Sequence, residues 1–391
     1  MSKTPPDLST LTAETRLVLA GRGYSEHGFV NPAVYHASTV LFPTAGALHD
    51  RSQDYVYARR GTPTSRAVET AIAVLEGGHD AKVTPSGMAA IATTLLAFLK
   101  TGDHLLMVDT AYHPTRQFCD SLLKGYGIET TYYDPLIGGG IAALMRPNTR
   151  LIYCESPGSQ TMEVQDVPAI AEAAHAKGVL VAIDNTWAAG HYFKAFEMGC
   201  DISLQAATKY LVGHSDAMMG CVTCSAATWP RFKEAYETMG QFAGPDDMYM
   251  TLRGIRTLDV RLERHMKNAV RVAEWLRGRP EVETVLYPGL SNAPGHSLWK
   301  RDFKGASGLF SIVLKPAPDK AVAAMLDGLQ LFGMGYSWGG FESLVVPFRP
   351  HRSATTWTAP GPALRFHIGL ESPDDLIADL TQGFKRLDGQ R

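Results

Sequence analysis

The sequence predicts an α/β fold in which a mainly parallel sheet is wrapped by helices and is followed by a smaller C-terminal α+β domain. From about residue 62 to 226, amphipathic segments of helical length alternate with short apolar or β-branched runs. This alternation is typical of a parallel sheet that is covered by helices on both faces. Towards the C-terminus, strand-like runs mix with helical segments, which is the pattern of a two-layer α+β unit.

Each element of the first domain is predicted from its periodicity or its apolar content. The strand-like runs, in chain order, are AKVTPSG, HLLMVDT, IETTYYD, RLIYCES, VLVAIDN and ISLQAAT. The helical segments between them include SRAVETAIAVLEGG, MAAIATTLLAFLK and VPAIAEAAHAKG. The first sixty residues lack clear periodicity, and we interpret them as an arm that reaches onto a neighbouring subunit.

The second half begins with a long helical segment, about Met248 to Leu276, which keeps one face apolar and would bridge two domains. Beyond it, the predicted strands are GLFSIVLK, SLVVPF and ALRFHIGL, and the predicted helices are DKAVAAMLDGLQ and DDLIADLTQGFKRL. We therefore expect an arm over residues 1–60, a cofactor-binding α/β domain over 61–255 and an α+β domain over 256–391.

Composition limits the classes of partner. Among 391 residues, 37 Lys plus Arg face 39 Asp plus Glu, so no global field favours nucleic acid or an anionic membrane. The N-terminus lacks an apolar core of signal-peptide length, and MAAIATTLLAFL is too short to span a bilayer, so we expect a cytoplasmic protein. Cys221 and Cys224 lie in a strand-like run rather than at a helix start, which favours structural thiols, and no histidine spacing predicts a metal site.

Candidate reactive residues follow the predicted strands, because ligands of open α/β sheets collect at the carboxyl ends of strands. PSGMAAI places Ser86, Gly87 and Met88 where a strand gives way to a helix, a geometry that binds phosphate. Asp184 ends the run VLVAIDN, and Lys209 follows ISLQAAT. Taken alone, Lys209 could be a surface lysine and Asp184 a turn residue.

Lys209 lies in the stretch SLQAATKYLVGHSDAMMG, which carries one other formal charge, Asp216. Apolar surroundings depress a lysine pKa from its ordinary value of about 10.4 and so free the nucleophilic amine. An anion cradle, an amine and a carboxylate are together what pyridoxal 5'-phosphate requires: the lysine holds its aldehyde, and the acid keeps the pyridine nitrogen protonated.

The sequence resembles the pyridoxal-phosphate-dependent enzymes of cysteine and methionine metabolism, and within them the cystathionine β-lyases. The blocks that carry the resemblance extend from VNPAVYHASTVLF to Glu371 and include YARRGTPT, TPSGMAAI, DTAYHPTRQF, ESPGSQTMEVQDVP, IDNTWA, QAATKYLVGHSD, GQFAGPDD, GYSWGGFESL and RFHIGLE. The resemblance implies a fold-type I architecture. It also implies a site completed between two subunits, hence a dimer, and usually a tetramer of two dimers.

The resemblance assigns catalytic roles to three residues. Lys209 would bind the cofactor covalently and act as the base, Asp184 would pair with the pyridine nitrogen, and Tyr112 would stack on the ring and assist proton transfer. The residues implied to hold the phosphate are Gly87, Met88 and Thr208 from one subunit and Tyr57 and Arg59 from its neighbour. Many relatives have Ser where this chain has Ala206, so one phosphate hydrogen bond is missing or comes from another donor such as Ser86. Arg365 would clamp the substrate carboxylate, beside Ser337 and Trp338.

Two details favour the β-lyase branch, which cleaves L-cystathionine, an amino-acid thioether of methionine biosynthesis, to homocysteine, pyruvate and ammonia. They are ESPGS at 155–159 and Trp338, where γ-acting relatives tend to have ESPTNP and a non-aromatic residue. The first alternative is a γ-acting relative, either a cystathionine γ-lyase or γ-synthase or a methionine γ-lyase, and cysteine or cystine cleavage also stays open. A non-catalytic pyridoxal-phosphate or amino-acid sensor is the alternative from another class. A nicotinamide-dependent dehydrogenase is disfavoured, because no GxGxxG follows a first strand.

Overall fold

The computed structural model describes residues 6–50, 52–291 and 293–390, and its larger domain is built on a seven-stranded sheet. The strands are β1 Asp80–Thr84, β2 His104–Val108, β3 Glu129–Tyr133, β4 Thr149–Glu155, β5 Leu180–Asp184, β6 Ile202–Gln205 and β7 Gly220–Cys224. Their order across the sheet is β1-β7-β6-β5-β4-β2-β3. Strands β2 to β6 pair in parallel, whereas β7 is antiparallel to both of its neighbours. The predicted, mainly parallel sheet is confirmed.

Helices cover this sheet and connect its strands. Those up to β7 are α1 Ala13–Leu19, α2 Ala45–Asp50, α3 Pro63–Glu76, α4 Gly87–Phe98, α5 His113–Phe118, which continues as a π-helical turn over Cys119–Leu123, and α6 Val167–His175. Short 3-10 turns lie at Leu8–Thr10, Arg22–Tyr24, Ala58–Arg60 and Gly138–Leu144. Helix α3 begins and ends at residues that favour helix ends. Thr62 and Ser65 form a capping box, Pro63 begins the helix, and Gly77 ends it in the left-handed conformation.

The smaller domain contains an antiparallel sheet of order β10-β11-β9-β8. Its strands are β8 Val282–Leu286, β9 Leu309–Leu314, β10 Leu344–Phe348 and β11 Ala363–His367. The remaining helices are α7 Trp229–Thr238, α8 Pro245–Arg256, α9 Leu258–Arg277, α10 His296–Asp302, α11 Asp319–Asp327 and α12 Pro373–Asp388. Strand β8 was not predicted, because its sequence VETVL is short and carries a charge.

The single long helix expected over residues 248–276 is wrong, since α8 ends at Arg256 and α9 begins at Leu258. The interruption is at Thr257, whose φ of −115° and ψ of 12° are not helical. Helix α8 also packs very closely on the turn after β6: a Cβ on Gly254 would lie 2.1 Å from the Leu211 carbonyl oxygen. This contact fixes α8 against the turn that carries Lys209, whereas α9 packs on β8 and α12 of the smaller domain.

The N-terminal region begins on the larger domain, where Leu17 of α1 is buried and α1 packs on α3. After it, residues 25–44 have no regular helix or strand, and they expose large apolar side chains: Phe29, Val30 and Leu41. The first five residues of the predicted arm lie outside the described residues. Among the helices of the described ranges, none is long and apolar enough to cross a membrane.

Candidate active site

A cavity of about 510 Å³ lies at the carboxyl ends of β4, β5 and β6. Ten of the twelve predicted site residues line it: Ser86, Gly87, Met88, Tyr112, Asp184, Thr208, Lys209, Ser337, Trp338 and Arg365. The last three come from the smaller domain and its connections, so both domains build the cavity. The chain therefore brings together an amine, carboxyl groups, aromatic rings and a guanidinium.

Lys209 reaches the cavity from the turn that follows β6. Burial, together with the positive charge of Arg365, lowers the pKa of Lys209 to about 8, although the carboxylate of Asp184 opposes the shift. Its Nζ donates a hydrogen bond of 2.6 Å to Ser337 Oγ and lies 5.3 Å from the centre of the Trp338 ring. No carboxylate within the described residues forms an ion pair with Nζ, so the amine is available for chemistry at mildly alkaline pH.

The loop after α11 holds Lys209 from the other side. Ser337 adopts a φ of 84°, a left-handed conformation that is uncommon for a residue other than glycine. Gly339, with a φ of 91°, packs so closely that a Cβ there would lie 2.8 Å from the Lys209 carbonyl carbon. This packing requires glycine, and together with the Ser337 hydroxyl it positions the lysine at the cavity.

Two carboxyl groups lie side by side at the ends of neighbouring strands. Glu155 ends β4 and Asp184 ends β5, and the two residues are register partners. Each residue is only 9% exposed. Burial raises the pKa of both side chains, and the Asp184 charge raises that of Glu155 further, to well above its ordinary range. Asp184 is compensated by hydrogen bonds from the Thr186 amide (3.0 Å) and hydroxyl (2.5 Å), so Asp184 is the carboxylate and Glu155 the neutral acid of the pair.

Glu155 is a functional residue that the sequence reasoning did not single out. Its Oε2 accepts a hydrogen bond of 2.7 Å from the Tyr112 amide, at the start of α5. That bond fixes the backbone from which the Tyr112 ring, 44% exposed, faces the cavity. The available signal was its position, since Glu155 ends a strand-like run as Asp184 does.

An anion cradle is formed where β1 leads into α4. Ser86 caps α4 by accepting a 3.1 Å hydrogen bond from the Ala89 amide, and the amides of Gly87 and Met88 lie in the first turn, where no helical carbonyl can pair with them. A Cβ on Gly87 would lie 2.6 Å from the Ala206 Cβ, so glycine is required beside that alanine. The Thr208 hydroxyl donates to the Met219 carbonyl (3.1 Å) in this structure, and its contact with the phosphate stays a prediction.

Tyr57 and Arg59 are not brought to this cavity within one chain. They line a different cavity beside Phe242, and Arg59 Nη1 donates a 2.9 Å hydrogen bond to the Glu237 carbonyl. Their predicted role in the site of a neighbouring subunit stays a prediction.

The CVTC pair lies in β7, where burial raises the pKa of both Cys221 and Cys224. The two thiols are therefore poor nucleophiles. His214, which follows Lys209 in the same loop, bonds through Nδ1 to the Val212 carbonyl at 2.7 Å and so orders that loop.

A family profile described as Cys/Met metabolism PLP-dependent enzyme matches residues 14–385. The chain belongs to this family. The cystathionine beta-lyases of Salmonella typhimurium and Escherichia coli are each 46% identical to it over 388 residues, which is 96% of this chain and 98% of each relative. A solved cystathionine gamma synthase from Xanthomonas oryzae pv. oryzae, in complex with aminoacrylate and cysteine, matches with a TM-score of 0.90 and 33% identity, covering 97% of this chain and all of that one.

Family membership establishes the fold as that of fold-type I enzymes and the cofactor as pyridoxal 5'-phosphate. The cavity fits this cofactor. The unpaired amides of Gly87 and Met88 suit its phosphate, the Asp184 carboxylate suits its pyridinium, and the amine of Lys209 suits its aldehyde. Ala206 offers no hydroxyl, whereas the Ser86 hydroxyl hydrogen is still free to donate.

The lowered pKa of Lys209 predicts how apoenzyme will take up its cofactor. With a pKa of about 8, roughly one amine in ten is neutral at pH 7, against fewer than one in a thousand for an ordinary lysine. We expect the rate of covalent attachment, followed by visible absorbance, to rise with pH and to level off above about pH 8. In Arg365→Gln the midpoint should move upwards, because a positive charge that lowers the pKa is lost, whereas Arg365→Lys should leave it nearly unchanged. A wild-type rate that still climbs steeply above pH 9 would contradict the assignment.

Proposed function

We propose that the protein is a carbon–sulfur lyase that cleaves L-cystathionine at the β-carbon, giving homocysteine, pyruvate and ammonia. The observation that carries the proposal is that Lys209, Asp184 and Arg365 share one cavity in a chain 46% identical to two cystathionine beta-lyases over nearly its whole length. Methionine biosynthesis is the route in which such an activity belongs.

Arg365 is suited to bind the α-carboxylate of the substrate. Its side chain lies on β11, and one nitrogen, Nη2, donates a 3.3 Å hydrogen bond to the Ser337 carbonyl. Burial lowers its pKa, yet a guanidinium remains charged at neutral pH, and no carboxylate of the described residues pairs with it. The fork of the guanidinium is therefore open to a bidentate carboxylate.

Proton transfer falls to Lys209. When bound, pyridoxal 5'-phosphate supplies an electron-accepting ring that stabilises negative charge at the substrate α-carbon. Lys209 Nζ then takes the α-proton as a base, which a pKa near 8 permits, and the C–S bond at the β-carbon breaks with departure of the homocysteine thiolate. Water hydrolyses the three-carbon enamine that is released, which gives pyruvate and ammonia. Ser337 Oγ, which accepts a 2.6 Å hydrogen bond from Lys209 Nζ in this structure, can stabilise the ammonium so formed.

Tyr112 supports this chemistry as a neutral phenol. Burial raises the pKa of Tyr112 above its ordinary value of 10, and the negative charge of the nearby Asp184 carboxylate raises it further. The phenol thus keeps its proton at neutral pH and can donate a hydrogen bond to the departing sulfur.

Restriction of the lysine favours elimination at the β-carbon over the γ-carbon. β-Elimination requires removal of the α-proton, whereas γ-elimination also requires a proton to be moved at the β-carbon, so the base must serve two positions. Here Ser337 and the Trp338 ring both contact the amine of Lys209 and limit its travel.

The keto acid identifies the reaction. Holoenzyme incubated with L-cystathionine should release pyruvate and homocysteine in equal amounts, measured by reduction of the keto acid and by thiol analysis. Formation of 2-oxobutanoate and cysteine would instead place this chain with the γ-lyases. Absence of any keto acid from a cofactor-loaded protein would favour a non-catalytic sensor.

The proposed assembly is a dimer in which Tyr57 and Arg59 complete the phosphate site of the neighbouring subunit, with a tetramer of two such dimers as the expected form. The exposed apolar residues Phe29, Val30 and Leu41 of the N-terminal region support it, because a partner that covers them would bury their surface. Five free cysteines also fit a reducing compartment, which supports the cytoplasm as its proposed location.

A further inference from the structure

A second cavity, of about 640 Å³, adjoins the one that contains Lys209. The two cavities share four lining residues, Tyr112, Ser159, Tyr336 and Arg365. The remainder of the second cavity is formed by the end of β2, the start of α5 and the segment that follows β10. A ligand held at Arg365 can therefore extend from the first cavity into the second.

The lining of the second cavity is rich in positive charge. Its arginines are Arg116, Arg349, Arg352 and Arg365, and its only carboxylate among the described residues is Asp109. Asp109 is paired with Arg116 at 3.0 Å, and Arg352 is paired at 2.7 Å with Glu163, which is not part of the lining. After these two ion pairs, Arg349 and Arg365 leave the cavity cationic.

Arg352 and Arg349 both retain donors. The side chain of Arg352 is 6% exposed, and although its Nη2 bonds to Glu163 and Thr161, its buried Nη1 finds no acceptor among the described residues. Arg349 is exposed and makes no hydrogen bond or ion pair with any described residue. A buried guanidinium donor without an acceptor is costly unless a ligand supplies one.

The segment that carries the two arginines is anchored to the larger domain. Asp109, directly after β2, accepts hydrogen bonds from the amides of Ser353 (2.7 Å), Ala354 (3.1 Å) and Thr355 (2.8 Å). The segment that carries Arg349 and Arg352 is thereby tied to the end of a central strand. Such a tie is typical of a preorganised binding wall rather than of a free surface loop.

We propose that this second cavity is the subsite for the far carboxylate of a dicarboxylic amino-acid thioether, with Arg352 and Arg349 as its ligands. Arg365 holds the near carboxylate, and the thioether sulfur lies between the two cavities. The inference rests on the proposed function and extends it, because it predicts that a substrate with a carboxylate at each end is preferred over a simple S-alkyl cysteine.

The test compares two substrates with the same reacting half. L-Cystathionine carries the second carboxylate, and S-ethyl-L-cysteine lacks it. For the holoenzyme variants Arg352→Gln and Arg349→Gln, we expect kcat/KM for L-cystathionine to fall by about 10- to 100-fold and by about 3- to 10-fold respectively, mainly through KM. With S-ethyl-L-cysteine, both variants should stay within about threefold of the wild type.

Arg264→Gln, which removes an exposed arginine of α9 outside both cavities, is the matched control. It should leave kcat/KM unchanged for both substrates. Arg349 has no partner among the described residues, so its variant reports on the subsite even if Arg352→Gln folds poorly. An equal loss with both substrates, or no loss with either, overturns the subsite. A wild-type enzyme that forms pyruvate from S-ethyl-L-cysteine but not from L-cystathionine overturns both the subsite and the proposed substrate.

Discussion

Lys209→Ala will lose both covalent attachment of the cofactor and turnover, by at least about 10³-fold in kcat. Two steps depend on the same amine, because Lys209 is the only lysine among the described residues that line the cavity. Its Nζ both attaches the cofactor aldehyde and, with a pKa of about 8, takes the α-proton. The measurement is the visible absorption of the reconstituted protein, together with keto-acid release from L-cystathionine.

Lys194 provides a control with nearly the same electrostatics. Burial lowers its pKa to about 8 as well, but its Nζ donates to the Leu75 (2.6 Å) and Gly190 (2.8 Å) carbonyls, away from the cavity. Lys194→Ala should lower the free energy of unfolding by roughly 1 to 3 kcal/mol, because two carbonyls lose their donor, while absorption and turnover persist. Cofactor attachment that survives in Lys209→Ala and is lost in Lys194→Ala would reverse the assignment.

The central part of the site could be predicted from the geometry of a parallel sheet. Asp184 and Lys209 are 25 residues apart in the sequence, yet both follow predicted strands, and the carboxyl ends of such strands meet at one edge. Tyr112 and Arg365 offered no comparable signal and were predicted only through the resemblance to a family. Their placement requires α5 and the smaller domain to fold over the sheet, which periodicity does not describe.

Glu155 and the arginines of the second cavity, Arg349 and Arg352, were not predicted from the sequence, for two different reasons. Glu155 could have been found by the rule that identified Asp184, but its motif was interpreted only for the reaction branch. Arg349 and Arg352 could not have been found in this way. Their position depends on hydrogen bonds that Asp109 accepts from backbone amides of a segment some 244 residues further along the chain. The two-helix arrangement of α8 and α9 was missed for a similar reason, since the close contact between Gly254 and Leu211 is tertiary.

Replacing each of the adjacent carboxyl groups at the ends of β4 and β5 by an amide should change kcat to very different extents. Asp184→Asn is expected to lower kcat by about 10²- to 10³-fold, because a neutral amide cannot hold the pyridine nitrogen protonated. Glu155→Gln is expected to stay within about fivefold of the wild type. Its carboxyl is already neutral, since burial and the Asp184 charge hold its pKa well above the ordinary range, and the glutamine oxygen can still accept from the Tyr112 amide.

The variant Glu155→Ala tests whether Glu155 acts by positioning Tyr112 or by carrying a negative charge. It leaves the Tyr112 amide without its acceptor, so the ring is no longer fixed over the cavity, and kcat should fall by about 10- to 100-fold with the cofactor still covalently attached. The decisive comparison is between the two glutamate variants, measured as kcat against pH on fully reconstituted protein. If Glu155→Gln is as slow as Asp184→Asn, Glu155 acts as a carboxylate and the pair shares its charge. If Glu155→Gln restores what Glu155→Ala loses, the neutral hydrogen bond to Tyr112 is what the site requires at this position, and Asp184 alone carries the negative charge.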